Sequence, residues 1–210
     1  MIATYESIPF DDGEILRYAS IRELTPELRE IVSLAKKEVC SLEYKVCYEE
    51  YPLTECEDGV IIGECKISSQ LLKKNLSGCR RCLLVVGTVG VEMDRLIKRY
   101  STISPIHGLI MHAVGVERVE SLMNHFVRNY KEPLRPRFSP GFGDLDIKYQ
   151  RELLELVEAS KNIGVSLSDT FIMSPSKSVT AIVGLCNKGA ENKNKCSVCK
   201  MKNCAYRGAL

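Results

Sequence analysis

Arg135-Pro136-Arg137-Phe138-Ser139-Pro140-Gly141-Phe142-Gly143-Asp144 is the stretch on which the reading of this chain turns. Each proline fixes its own φ and pushes the residue before it toward extended geometry. Each glycine lets the backbone take positive φ or approach another surface closely. The stretch therefore reads as a stiff, non-helical loop that presents Arg137 from a defined backbone. A guanidinium is a planar fork of donors suited to a carboxylate or a phosphate, so the loop reads as an anion-binding device for a small molecule. The plain alternative is a turn between two helices with solvated arginines.

Outward from the loop, the pattern predicts a mixture of helices and strands. Thr25-Pro26-Glu27 starts a helix, with a capping hydroxyl followed by proline at the first helical position. Residues 43–51 and 59–67 read as strands, and Ser68 or Ser69 opens a short helix that Gly78 ends. Leu83-Leu84-Val85-Val86 is a buried strand, and Gly87-Thr88-Val89-Gly90 turns it into a helix. Ser104-Pro105 begins the longest helix, whose core stripe is read as Leu109, His112, Val116, Val119, Met123, Phe126 and Tyr130. Asp146 is expected to cap the next helix, which carries Leu153, Leu156, Val157 and Ile163 inward and stops at Gly164. Strands near 170–174 and 178–185 close the folded part. Without strict βα alternation, the fold class is α+β, a largely antiparallel twisted sheet with flanking helices. One folded domain is expected over 1–187, and a basic cysteine-rich tail over 188–210.

The string R-F-S-P-G-F, followed by Phe171-Ile172-Met173-Ser174-Pro175-Ser176-Lys177-Ser178-Val179, resembles the activation domain of cobalamin-dependent methionine synthase. That family carries an R-x-(S/A)-P-G-(Y/F) loop, a helix and then an F-x-M-x-P-x-x-S-V segment. Glu14-Ile15-Leu16-Arg17-Tyr18 and Thr88-Val89-Gly90 are similar to short standalone members. The resemblance implies binding of S-adenosylmethionine, with Arg137 on the ligand's carboxylate and Ser139, Pro140, Gly141 and Phe142 shaping the loop. Phe142 stands where many members have tyrosine. Ser178 and Val179 would line the same groove. The resemblance implies no acid, base or nucleophile in this chain, because holding a methyl carbon beside cobalt is catalysis by proximity. It also implies a cobalamin held by a partner, either a cobalamin-binding methionine synthase or another corrinoid protein acting in trans, and an electron donor such as flavodoxin or ferredoxin.

Ten cysteines are many for a chain expected in the cytoplasm, where thiols stay reduced. Cys40, Cys47, Cys56 and Cys65 read as small buried residues, and Cys79-Arg80-Arg81-Cys82 as a helix-end turn. Cys196, Cys199 and Cys204 form C-x2-C-x4-C, and Cys186 could supply a fourth thiolate. Such spacing converges on zinc or on an iron–sulfur cluster, and does not choose between them. The tail from Lys188 onward is +5, which leaves the body at −3. It lacks interleaved aromatic residues apart from Tyr206, so a nucleic-acid partner is not favoured. The sequence has no apolar run long enough to span a membrane and no signal-peptide core near Met1, so no membrane partner and a cytoplasmic location are expected. Gly87–Gly90 lacks the rest of a phosphate-loop motif, and the spacing of His107, His112 and His125 fits no metal pair. The rival reading is a metal-dependent electron-transfer or scaffold protein for a corrinoid enzyme that does not bind S-adenosylmethionine.

Overall fold

A computed structural model describes residues 1–186. In chain order the elements are β1 (Ile2–Tyr5), α1 (Asp12–Tyr18), α2 (Pro26–Val39), β2 (Tyr44–Glu55), β3 (Gly59–Ile62), β4 (Cys65–Ser68), α3 (Gln70–Leu76), β5 (Arg81–Thr88), α4 (Val91–Ile103), α5 (Pro105–Arg128), α6 (Tyr149–Leu156), α7 (Ala159–Ile163), β6 (Ser166–Leu167), β7 (Met173–Ser174) and β8 (Ser178–Leu185). The main sheet is antiparallel throughout, in the order β4-β3-β2-β5-β8, with β1 beside the first half of β2. The α+β antiparallel architecture expected from the sequence is the one observed.

β5 and β8 are apolar on both faces because the sheet is covered on both sides. Successive side chains point to opposite faces. Leu83, Val85, Ala181 and Val183 join a core shared with α1, α2, α4 and α5. Cys82, Leu84, Val86 and Ile182 join a second core with α3, α6 and α7. Several starts are set by local chemistry. Thr25 Oγ1 accepts from Leu28 N at 3.3 Å, with Pro26 in the first turn. Ser69 Oγ accepts from Leu72 N at 3.0 Å to start α3.

Five expectations are corrected. The stripe on α5 is rotated: Leu109 and His112 face outward, and Ile110, Met111, Val114 and Leu122 face the core with Val119, Met123 and Phe126. The inward face also carries Glu117 and Arg118, which hydrophobic periodicity counts as surface. The helix after Asp146 is broken at Glu158, whose φ is +48°. The carbonyls freed there are met by side chains, Tyr51 Oη donating to Leu156 O at 2.8 Å and Asn162 Nδ2 to Val157 O at 2.8 Å. Asp146 precedes the assigned helix start and accepts from Lys148 N at 2.9 Å. Finally, the thiols do not all stay single, since Cys79 and Cys186 form a disulfide across 107 residues. Of the four cysteines read as buried, only Cys47 is, and its thiol is pushed up to about 11 by burial.

Glu117 and Arg118 are each 1% exposed. Arg118 Nε and Nη2 donate to the Glu117 carboxylate at 2.6 Å. Arg118 also reaches Ile8 O at 2.6 Å and Pro9 O at 2.8 Å, and its Cζ lies 3.7 Å from the centroid of the Phe10 ring. Glu117 accepts in addition from Asp11 N at 3.0 Å and Ser121 Oγ at 2.6 Å. Arg118→Met would strand the carboxylate in the core, at an expected cost of about 3–5 kcal/mol. The double variant with Glu117→Gln should cost less than the sum of the singles. Urea unfolding of the three variants measures both.

Candidate functional site

The Arg135–Asp144 loop runs along the outer edge of β8. Arg135 N donates to Gly184 O at 2.8 Å, and Phe138 and Ile182 exchange both backbone bonds at 3.0 and 2.7 Å. Phe138 turns into the second core, and its ring meets that of the exposed Phe142 edge-on at 5.3 Å. Beyond it the chain folds back: Phe142 N donates to Ser139 O at 3.1 Å and Gly141 N to Leu145 O at 2.8 Å. Gly141 has φ +84°, a conformation that a Cβ resists. Pro140 is buried at this turn, and Gly141 is exposed. Asp144 closes the loop onto α3, accepting from the Ser69 hydroxyl, from Gln70 N at 2.8 Å and from Leu71 N at 3.2 Å. The loop is thus anchored at both ends, by β8 and by α3.

Arg137 points the other way, to α5. Its Nη2 donates to Glu120 Oε2 at 2.8 Å and to Asn124 Oδ1 at 2.9 Å. The arginine side chain is 18% exposed and the glutamate 36%. α1 borders the same place, since Glu120 helps hold the Tyr18 phenol above its ordinary value, after burial as the larger cause. Arg17, ion-paired with Glu14, lies over the Tyr18 ring with Cζ 4.2 Å from its centroid. Tyr18 and Arg137, far apart in sequence, thus both lie within the field of the Glu120 carboxylate. Sequence reasoning missed Glu120 and Asn124. They stand at i and i+4 on α5 with no local motif, and only the folded loop reveals them.

The Phe171–Val179 segment reaches the same sheet edge through its own bonds. Gln150 Nε2 donates to Phe171 O at 3.1 Å, and Thr180 Oγ1 donates to Gln150 Oε1 at 3.3 Å. Ser178 is 7% exposed, and its hydroxyl contacts Thr88 Oγ1 at 2.8 Å and Pro175 O at 2.7 Å, facing inward. Val179 is partly buried against the first core. Asp94 of α4 accepts from Ser176 N at 2.9 Å and from the Ser176 hydroxyl. Gly87–Gly90 is a plain strand-to-helix turn, with Val89 N donating to Lys177 O at 3.0 Å.

Of the proposed metal ligands, Cys196, Cys199 and Cys204 lie outside the described residues. Cys186 is bonded to Cys79, and its sulfur also accepts from Arg135 Nε at 3.2 Å. Among the described residues no group of three or more His, Cys, Asp or Glu side chains is placed to hold a metal. No helix among them is long and apolar enough to cross a membrane.

No protein-family model matches this sequence, and no curated protein matches it. Among solved structures, the crystal structure of the MetH reactivation domain bound to AdoHcy is similar, with a TM-score of 0.68. It covers 90% of this chain and 80% of that chain at 14% sequence identity. The class defined here is an α+β domain with a loop-edged antiparallel sheet. More particularly, the fold is that of the MetH reactivation domain, as the resemblance had implied.

The Asp144 carboxyl is held below its ordinary value, chiefly by the Ser69 hydroxyl, with the Leu71 and Gln70 amides assisting and burial opposing. A depressed carboxylate stabilises the fold above its unfolded pKa, and that contribution is lost as pH falls through the folded value. Asp144→Asn should therefore lower the melting temperature at neutral pH and have little effect in strong acid. Thermal melts of both proteins across that range check the sign.

Proposed function

We propose that this chain binds S-adenosylmethionine and acts in trans in the reductive remethylation of a corrinoid methionine synthase. The observation that carries the reading is the Arg137–Glu120 pair on the edge of a reactivation-domain fold. The amino-acid end of S-adenosylmethionine is a zwitterion. A guanidinium and a carboxylate side by side, both partly open to solvent, match its two charges: Arg137 takes the ligand's carboxylate and Glu120 its ammonium. Charge-assisted pairs of this kind are the stronger hydrogen bonds. Pro140, Gly141 and the Ser139 carbonyl set the loop's path, and Phe142 offers its exposed ring to the ligand or to the corrin beyond it. Ser178 holds the second segment in place from beneath, and Val179 backs the groove.

The ligand supplies the methyl group, and a corrinoid held by the partner accepts it with one electron from a donor of the flavodoxin or ferredoxin class. This chain contributes position, which lowers the entropic part of the barrier. Titration calorimetry with S-adenosylhomocysteine should give saturable binding. Arg137→Met and Glu120→Gln should each weaken it about tenfold or more, yet hardly change the affinity for 5′-methylthioadenosine, which lacks the amino-acid end. A folded wild-type protein that binds neither compound removes the proposal.

The tail adds a metal-binding role to this reading. Cys196, Cys199 and Cys204 keep the spacing of thiolate ligands, and Cys186 can join them only when its bond to Cys79 is reduced. Protein purified under anaerobic reducing conditions should then contain zinc or iron by elemental analysis, and the Cys196→Ser/Cys199→Ser variant should lose it.

A further inference from the structure

Lys177 stands in the second motif segment but takes no part in the reading above. It is 7% exposed. Its stem lies flat on the bare backbone of α5 at Gly115, where a Cβ would come within 3.1 Å of Cε and 3.2 Å of Cγ. The ammonium is therefore held in one place. Among the described residues its sole hydrogen-bond partner is His112 Nε2, at 3.0 Å. With the ammonium as donor, Nε2 accepts, the ring proton sits on Nδ1, and the partner is a neutral group. The charged or titratable groups that face Lys177 are His112 from α5 and Asp94 from α4. Asp94 is already engaged by the Ser176 amide and hydroxyl.

A buried cation with one neutral partner and two remaining N–H donors is a costly arrangement, unless something anionic completes it. His112 is exposed, so the pair opens to solvent. It also lies in line with the first site. His112, Val116 and Glu120 follow one another at four-residue steps on α5, which sets the lysine end about 12 Å along the helix axis from the Arg137 end.

We propose that Lys177 and His112 form an oxyanion site, which takes a carboxylate or a phosphate about two turns along α5 from the Arg137 end. The two remaining ammonium N–H groups are its donors, and His112 Nε2, accepting the third, sets how they point. Burial holds the free lysine below its ordinary value, with Asp94 opposing, and burial followed by the Lys177 charge lowers His112. An arriving anion favours the charged lysine, so a filled site holds Lys177 closer to its ordinary value. Since Arg137 takes the nucleoside ligand's carboxylate, the anion's source is an anionic group carried by the corrinoid partner. The site itself does not depend on the nucleoside reading, because free phosphate tests it alone.

The experiment is calorimetric titration of the full chain with inorganic phosphate. Wild type should bind saturably. Lys177→Met should weaken binding about tenfold or more. His112→Ala, a change at an exposed position that folding tolerates, should weaken it as well, and Lys161→Met on α7 should not. If S-adenosylhomocysteine displaces phosphate, the phosphate was bound at the Arg137 end and the Lys177 site is overturned. If the two bind together, the occupant belongs to the partner. No saturable phosphate binding by wild type, or binding that the lysine and histidine variants both retain, overturns the proposal.

Discussion

The buried pair of Glu117 and Arg118 is the constraint on which the arrangement depends. Two charges removed from water are tolerable only when their hydrogen-bonding capacity is met. Here it is met by the main chain at Ile8, Pro9 and Asp11 and by the Ser121 hydroxyl. The pair therefore works as a fastener between α5 and the segment that leads into α1. Together with Ile15 of α1 in the first core, it sets where α1 lies and so where Tyr18 stands relative to Glu120.

α5 then serves the core and the surface at once. Its inward side packs Ile110, Val114, Leu122 and Phe126 against the sheet. One turn round the helix, His112, Val116, Glu120 and Asn124 form the rim that meets Lys177 and Arg137. Because both cations come from segments beside β8, the spacing of the rim is set by how α5 lies across the sheet. A rigid helix on a sheet covered on both faces holds such a spacing better than loops do.

Where local chemistry decides an element, the sequence is legible. Thr25, Ser69 and the Gly87–Gly90 turn act as read, because caps and turns are settled within a few residues. The apolar run of β5 is equally plain. The α5 stripe misleads because the helix is apolar on more than one side and its most buried turn carries charge. The break at Glu158 has no glycine or proline to announce it, and its compensating bonds come from Tyr51 and Asn162. At the site, the loop and Arg137 are visible as a motif, but Glu120 is not: it acquires meaning only when residue 137 is brought to residue 120. The Cys79–Cys186 bond is hidden for the same reason, since its partners lie at the two ends of neighbouring strands.

The loop carries a second burden that follows from where it runs. β8 is the last strand of the sheet, and a bare strand edge is a template for a strand of another molecule. Leu134 and Phe138 bridge to β8 and occupy that edge. The segment that carries Arg137 thus also covers an edge that another strand could otherwise pair with. Lengthening or loosening it would uncover the edge, so any change to this loop has to keep Leu134 and Phe138 in register.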